Sequence, residues 1–204
     1  MKTFLHVGCG SKRKEHTTPG FNTKDWRELR LDINEAANPD IVGTMVDMSG
    51  IENASVDAIF SSHNIEHLYP HEVPVALQEF LRVLRPEGFV VITCPDLQSV
   101  CALVAEDKLT ETAYIAPAGP IAPIDILYGY RADLMQGNLN MAHRCGFTQR
   151  VLTATLQAAG FSMVAATRRT HPYYDIWAVA TKKSLPDEEI RSLARLHFLG
   201  TEHQ

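Results

Sequence analysis

Apolar residues occur along the chain in short runs, separated by longer segments in which they recur every three or four positions. Short apolar runs are typical of buried strands, and the longer pattern is typical of amphipathic helices. Seven runs predict strands, the third being the weakest: 3–7, 29–33, 40–47, 55–62, 88–94, 162–169 and 175–183. This alternation predicts an α/β fold built on a mostly parallel sheet, and the last two runs, joined by a turn at 171–174, predict a C-terminal hairpin.

The clearest helix is predicted between the fourth and fifth strands, where the apolar positions follow a period of about 3.6 residues until Pro86 and Gly88 end the pattern. A second helix is predicted within 148–161, with Thr148 as its N-cap and Gly160 as the residue directly after its end. Weaker patterns predict further helices at 96–107, 125–136 and 185–199.

Residues 110–145 interrupt this regular alternation. The segment contains three prolines and several polar residues, yet it also has enough isoleucine and leucine to pack against another surface. Long irregular segments in compact domains are usually functional covers or disordered. We therefore predict one domain spanning 1–204, with 110–145 as an inserted cover over the carboxyl edge of the sheet; a dimer contact is the alternative, and the oligomeric state stays open.

Composition narrows the function classes. The net charge is −5, which argues against a nucleic-acid partner. The sequence has no window near ~18 apolar residues, so no membrane span is expected. The N-terminal apolar run is too short for a signal peptide, and the four cysteines form no C-x-x-C pair. These features predict a cytoplasmic protein with reduced thiols.

A glycine turn follows the first strand, and acidic residues end the next two. Gly8 and Gly10 are spaced G-x-G, which lets the backbone approach a ligand closely. Asp32 ends the second strand about 20 residues later, at a distance that suits the two hydroxyls of a ribose. Asp47 ends the third predicted strand, and we expect it to accept the exocyclic amine of an adenine while Met48 packs on the ring.

These motifs, together with L-R-P-x-G before the fifth strand, resemble the class I S-adenosylmethionine-dependent methyltransferases, and most closely the small bacterial predicted-methyltransferase type. The resemblance covers about residues 3–97. It implies a Rossmann-like three-layer sandwich with a seven-stranded, mostly parallel sheet and one antiparallel C-terminal strand. It also implies S-adenosyl-L-methionine as the cofactor.

Carried over residue by residue, the resemblance implies a cofactor site whose members lie at the strand ends. The expected cofactor-binding residues are Gly8, Cys9, Gly10, Asp32, Ile33, Asp47, Met48, Ser62 and His63. Two positions depart from the family pattern: the acid expected two residues before Gly8 is His6, and the third glycine is replaced by Lys12. These departures leave a non-catalytic binding module open as an alternative.

The stretch His63–His67 reads H-x-x-E-H, a zinc-peptidase signature when it lies within a helix. Here it follows a strand, and nearby prolines prevent a long helix, so we expect no peptidase zinc. The resemblance offers a different metal site, since in some members a Glu-His pair at this place binds a metal together with a distant histidine. Glu66, His67 and His143 would form it. We favour structural hydrogen bonds for Glu66 and His67, and no metal.

The sequence thus predicts methyl transfer to a small-molecule or glycan-type acceptor, with His63 and His143 as candidate catalytic bases. The alternatives are a cofactor-binding module without turnover and a nicotinamide-dependent Rossmann oxidoreductase. The missing third glycine and the C-terminal hairpin argue against the oxidoreductase.

Overall fold

The computed structural model describes residues 1–198, and its centre is a seven-stranded sheet. The strands, in chain order, are β1 (Lys2–Val7), β2 (Trp26–Asp32), β3 (Ile41–Val42), β4 (Val56–Ser62), β5 (Leu84–Pro95), β6 (Tyr114–Ala116), β7 (Gly119–Ile121), β8 (Met163–Arg169) and β9 (Asp175–Thr181). The sheet has the order β3-β2-β1-β4-β5-β9-β8, and β6 and β7 form a separate small hairpin.

Strand directions confirm the predicted fold class. The five strands from β3 to β5 run parallel. The strand β9 lies between β5 and β8 and pairs antiparallel with both. The last two strands of the chain therefore form the expected hairpin, and β9 is the antiparallel member of a mostly parallel sheet.

The described residues form six α-helices. They are α1 (Val73–Val83), α2 (Leu97–Ala105), α3 (Pro123–Tyr128), α4 (Arg131–Met135), α5 (Gln149–Ala159) and α6 (Asp187–His197). Thr148 accepts the Val151 N–H at the start of α5, and Gly160 ends it with φ +111°, as predicted. The predicted last residue of the final helix, Leu199, lies outside the described residues. None of the described helices is long and apolar enough to cross a membrane.

The larger core lies on the face that α1 and α5 cover. Side chains alternate along β1, so that Leu5 and Val7 point into this core while Phe4 and His6 point to the other face. Buried residues of α1 such as Leu77 and Phe80 complete the packing. The apolar period read from the sequence is therefore the stripe that buries α1 against the sheet.

On the opposite face, no α-helix connects β1 to β2, and this connection forms only a short 3-10 turn at Lys14–His16. Phe21 fills that space instead, stacked against Phe4 and Phe89 with ring centroids 4.4 and 5.9 Å apart. The helix α6 closes this face, and its His197 is buried against Phe21 with Nδ1 2.6 Å from Thr18 Oγ1. The amphipathic C-terminal helix is thus an integral layer of the fold.

Burial lowers the pKa of His197 from 6.5 to about 4, which makes the stability of the fold depend on pH. The unfolded chain takes up a proton below pH 6.5, whereas the folded chain does so only near pH 4. The contribution of neutral His197 is therefore complete above pH 6.5 and is lost as the pH falls towards 4. We expect the unfolding free energy to drop by about 2 kcal/mol more in wild type than in His197→Gln between pH 7.5 and 5.

Urea unfolding at the two pH values measures this difference, and His16→Gln is the matched control because His16 is exposed. It should show the full wild-type pH dependence. Equal pH dependence in wild type and His197→Gln would contradict the assignment.

Three predicted elements differ most from the structure. The third strand spans only Ile41–Val42, because the chain turns at Thr44–Asp47 instead of continuing along the sheet. The fifth strand begins at Leu84, four residues early, and its pairing with β4 shifts register around Val56 and Ala58. The segment 110–145 is more ordered than predicted, with the β6–β7 hairpin and two short helices in place of one.

Candidate functional site

The carboxyl ends of β1, β2 and β4 meet at one edge of the sheet. From β1 the chain continues outward to β2 and β3, and it then returns to place β4 on the other side of β1. Such a reversal opens a crevice in which ligands of parallel α/β sheets bind. The turn after β1, Asp32 at the end of β2 and Ser62 at the end of β4 all lie at this edge.

The two glycines of the turn have positive φ angles, +61° for Gly8 and +51° for Gly10, but their surroundings differ. A Cβ atom on Gly8 would lie 1.9 Å from Asn64 Oδ1, whereas one on Gly10 would meet no atom within 4 Å. The Asn64 amide bridges the exits of β1 and β4 by donating to the carbonyls of Val7 and Ser62. A side chain at position 8 would therefore clash with Asn64, so glycine is required there, whereas Gly10 presents an open face to a ligand.

Asp32 fixes this open turn. Its Oδ2 accepts the Gly10 N–H at 2.7 Å, and its Oδ1 accepts the Asn34 N–H at 2.8 Å. Each carboxylate oxygen has a second lone pair, so the same acid can also accept the hydroxyls of a ribose. Ile33 follows directly and is 58% exposed, which offers an apolar surface beside the acid. The predicted positions of Gly10, Asp32 and Ile33 therefore fit a nucleoside.

Arg30 is the site residue that the sequence reasoning missed. It is 1% exposed, and its guanidinium donates to four carbonyl oxygens, those of Gly10, Lys12, Ala37 and Asn38. The glycine turn and the loop after Asp32 are thereby tied to one buried cation. The available signal was a charged residue between two leucines, two positions before the strand-ending acid.

His6, which replaces the acid of the family pattern, pairs with an acid from the next strand. Its Nδ1 lies 2.7 Å from Glu28 Oε1, and Glu28 Oε2 accepts the Lys14 N–H. Burial lowers the pKa of His6, although the Glu28 carboxylate opposes that shift. Burial also raises the pKa of the Cys9 thiol, so Cys9 can contribute its backbone to a ligand but is no thiolate nucleophile.

The structure corrects the prediction for Met48. Its side chain is 1% exposed within the core, and its N–H donates to Glu79 Oε2 at 2.8 Å, so Met48 is not available to an adenine ring. The reason is the early end of β3, which turns the chain back into the core after Asp47. Asp47 itself is exposed in that turn, and its Oδ1 accepts the Ser49 N–H, which lowers the pKa of the carboxyl group.

Ser62 and His63 mark the end of β4 in the crevice. The Ser62 hydroxyl lies 2.8 Å from Thr93 Oγ1, and the His63 N–H donates to the Thr93 carbonyl. His63 has φ +53°, and its side chain is 47% exposed. Only Ile65–His67 forms a 3-10 turn here, so His63 and His67 do not share the helix that a peptidase zinc site needs.

Glu66 is buried behind His63, beside two further histidines. Burial raises the pKa of Glu66, but nearby His63, His67 and His143 more than offset this, so the pKa lies below its usual value. Partial burial lowers the pKa of His63, but the nearby Glu66 carboxylate more than offsets this, so the pKa of His63 lies above its usual value. The expected structural hydrogen bonds are present for His67 but not for Glu66, whose carboxylate oxygens have none among the described residues.

The segment 110–145 packs against α2 and against the turn between β8 and β9. Its Ile121 and Ile126 form a small buried cluster with Val100 of α2 and Tyr174 of the β8–β9 turn. The segment then returns to β4, where the Arg144 N–H donates to the Glu66 carbonyl. His143 lies against His67, with ring centroids 4.9 Å apart. Burial lowers the pKa of His143.

Comparison with known proteins agrees with this geometry. Residues 5–92 match the family model described as "Methyltransferase domain". A Burkholderia thailandensis 1,6-didemethyltoxoflavin-N1-methyltransferase with bound S-adenosylhomocysteine is similar at 17% identity and TM-score 0.57, over 90% of this chain and 72% of that one. A Thermotoga maritima methyltransferase, described as a possible histamine N-methyltransferase, is similar at 16% identity and TM-score 0.58, over 90% and 83% of the two chains.

A third similar structure is a methyltransferase from Archaeoglobus fulgidus, with 14% identity and TM-score 0.57 over 89% of this chain and 86% of that one. No protein of curated function matches the chain in sequence. The resemblance inferred from the sequence motifs is nevertheless confirmed by the matching domain and by the fold.

Proposed function

We propose that the chain binds S-adenosylmethionine and transfers its methyl group to a small-molecule or glycan-type acceptor, because residues 5–92 match a methyltransferase domain and the fold is similar to that of S-adenosylmethionine-dependent methyltransferases. The observation that carries this proposal is the open face of Gly10 beside Asp32 at the switch point of the sheet. The bound cofactor supplies an electrophilic methyl group. The work of the protein is therefore to bind, orient and exclude water.

Different residues of the crevice contact different parts of the cofactor and the acceptor. Asp32 accepts the ribose hydroxyls, Ile33 packs against the adenine, and Asp47 lies near the adenine edge. The backbone of Gly8–Gly10 borders the methionine part. Ser62 and His63 face the acceptor from the end of β4, which leaves His63 as the base nearest to the reacting atoms.

His63 suits the role of a base because Glu66 lies behind it. The distance from His63 Nδ1 to Glu66 Oε1 is 3.4 Å, so an imidazolium formed at His63 is stabilised by the buried carboxylate. The exposed part of the ring can then take a proton from an acceptor. His143 is the second candidate base, but it lies deeper, beside Glu66 and His67.

A small acceptor would fit a crevice that the segment 110–145 covers. We propose that 110–145 closes over the methyl end of the crevice, as its packing on α2 and on the β8–β9 turn suggests. The similar Burkholderia protein is described with bound 1,6-didemethyltoxoflavin, a small molecule. The four free cysteines, two of them buried, fit the reducing cytoplasm, where we place the reaction.

Two measurements on the purified chain test this function. Calorimetry should show S-adenosylhomocysteine binding at one site per chain, with no comparable binding of a nicotinamide dinucleotide. Hydrogen exchange should then show protection in the Gly8–Lys12 turn and in 110–145 when S-adenosylhomocysteine is added. Tighter binding of the dinucleotide would instead favour the oxidoreductase, and protection of the turn without protection of 110–145 would contradict the cover.

A non-catalytic binding module is the second candidate, and the replacement of the family acid by His6 favours it. The pairing of His6 with Glu28 restores a carboxylate near that position, which supports a working site. A panel of hydroxyl, amine and glycan acceptors with labelled S-adenosylmethionine separates the two. Cofactor binding without label transfer to any acceptor would favour the module.

A further inference from the structure

Lys12 places an exposed cation at the end of the turn after β1, where the family pattern has a third glycine. Its backbone is fixed, because the Lys12 N–H donates to the Cys9 carbonyl at 3.0 Å and the Lys12 carbonyl accepts from Arg30 Nε at 3.2 Å. Its ammonium group forms no ion pair with a carboxylate of residues 1–198. A cation on an anchored backbone is thus available to a ligand of the crevice.

The other cations around this turn are placed differently. The Lys14 ammonium is folded back onto the chain, where it donates to two backbone carbonyls at 2.9 and 3.1 Å. The Arg30 guanidinium is buried and donates to four carbonyls. Arg13 is exposed, but it begins the 3-10 turn Lys14–His16, which leads on towards β2. Lys12 is therefore the exposed cation of the glycine turn itself.

The turn that contains Lys12 lies beside the turn that contains His63. The strands β1 and β4 pair directly, and the Asn64 amide donates to a carbonyl at the end of each of them. The Lys12 charge acts across this junction. Burial and Glu66 have the largest effects on the pKa of His63, and the Lys12 charge works against Glu66 there. Lys12 and the proposed base therefore border the same part of the crevice.

The acids in this part of the crevice already have cationic neighbours, whereas Lys12 has no anionic one. Glu66 Oε1 lies 3.4 Å from His63 Nδ1, and Asp175 accepts two hydrogen bonds from the guanidinium of Arg169. The cofactor adds a positive charge when bound, since its sulfonium is cationic while its amino and carboxylate groups cancel. A neutral acceptor would leave this charge and Lys12 without a counterion, and an acceptor with an anionic group supplies one.

We propose that Lys12 binds an anionic group of the acceptor, a carboxylate or a phosphate, and thereby selects acidic acceptors. This inference rests on the proposed function, because it names the class of acceptor for the same site. An ammonium is a compact charge on a flexible stem, so it can pair with either anion. A hydrogen bond between charged groups of this kind contributes about 10-fold or more to affinity.

Titration with phosphate and with acetate at constant ionic strength tests the site without turnover. The amide NMR signals of the Gly8–Lys12 turn and of 62–64 should shift in wild type, and the anion that binds more tightly shows whether phosphate or carboxylate is preferred. Lys12→Gln should weaken this binding at least ~10-fold. Arg13→Gln is the matched control, because Arg13 is the adjacent exposed cation, and it should bind as wild type does. Equal binding by wild type and Lys12→Gln, or no shift in wild type, would overturn the proposal.

The carboxylate of the cofactor is the competing partner for Lys12, and calorimetry with S-adenosylhomocysteine distinguishes the two. If Lys12 binds the acceptor, Lys12→Gln should bind S-adenosylhomocysteine with wild-type affinity. A loss of ~10-fold that disappears with an analogue lacking the carboxylate would assign Lys12 to the cofactor and overturn its role towards the acceptor. Failure of wild type to bind S-adenosylhomocysteine would instead refute the proposed function, and it would leave the anion titration unaffected.

Turnover of matched acceptors tests the selection itself. Labelled S-adenosylmethionine is offered with pairs that differ in charge, such as a hydroxybenzoate and its amide, or a sugar phosphate and the free sugar. Wild type should prefer the acidic member by at least ~10-fold in kcat/KM, and Lys12→Gln should lose this preference through KM while Lys12→Arg retains it. Equal turnover of both members by wild type would overturn the proposal. Label transfer to no acceptor would count against the proposed function, and the anion titration would then decide the role of Lys12.

Discussion

Replacing Asp32 with alanine is expected to weaken the binding of S-adenosylhomocysteine at least ~100-fold. Two hydrogen bonds from ribose hydroxyls to a carboxylate contribute about 1.5–3 kcal/mol each, and about 2.8 kcal/mol already corresponds to 100-fold in Kd. The substitution also releases the Gly10 and Asn34 N–H groups that the carboxylate holds. Calorimetry of wild type, Asp32→Ala and the exposed control Glu35→Ala measures the effect.

Loss of affinity alone does not separate a ribose contact from a loosened turn. A 2′-deoxy analogue of S-adenosylhomocysteine makes that distinction in a double-mutant cycle. Wild type should bind the analogue more weakly than the parent ligand, and Asp32→Ala should bind both equally. If Asp32→Ala keeps the wild-type affinity, the cofactor does not bind at this edge of the sheet.

The sequence pattern was sufficient for most strands of the sheet because buried parallel strands are continuous apolar runs. The caps Thr148 and Gly160 were predictable for the same local reason, since each satisfies backbone groups at its own helix end. The third strand was not. The run 40–47 is apolar enough for a strand, but only the fold shows that its second half turns back towards α1.

In the candidate site, too, some residues could be predicted from the sequence and others could not. An acid at the end of β2 can be placed from its distance to the glycine turn, because parallel strands end at one edge. Two other features of the site depend on contacts between segments far apart in the chain. The Asn64 side chain lies against Gly8, and the Met48 N–H donates to Glu79. The orientation of His143 against His67 likewise depends on the path of 110–145, which has no simple periodicity.

The hydrogen bonds of Arg30 are contacts of this kind, and they hold together two loops of the site. Its substitution by methionine keeps most of the side-chain volume but removes every donor to the four carbonyls. A buried carbonyl that loses its donor costs about 1–3 kcal/mol, and water can reach some of the four after the change. We therefore expect Arg30→Met to lower the unfolding free energy by about 3–5 kcal/mol, as measured by urea unfolding.

Arg27→Met is the matched control, because Arg27 lies exposed on the same strand and should change stability by less than about 0.5 kcal/mol. Arg30→Lys separates charge from geometry, since an ammonium keeps the charge but cannot reach four carbonyls in two loops. If the guanidinium organises the glycine turn, Arg30→Lys should lose stability and also bind S-adenosylhomocysteine more weakly. Equal effects of Arg27→Met and Arg30→Met would show that the turn holds its shape without this cation, and that Asp32 alone positions Gly10.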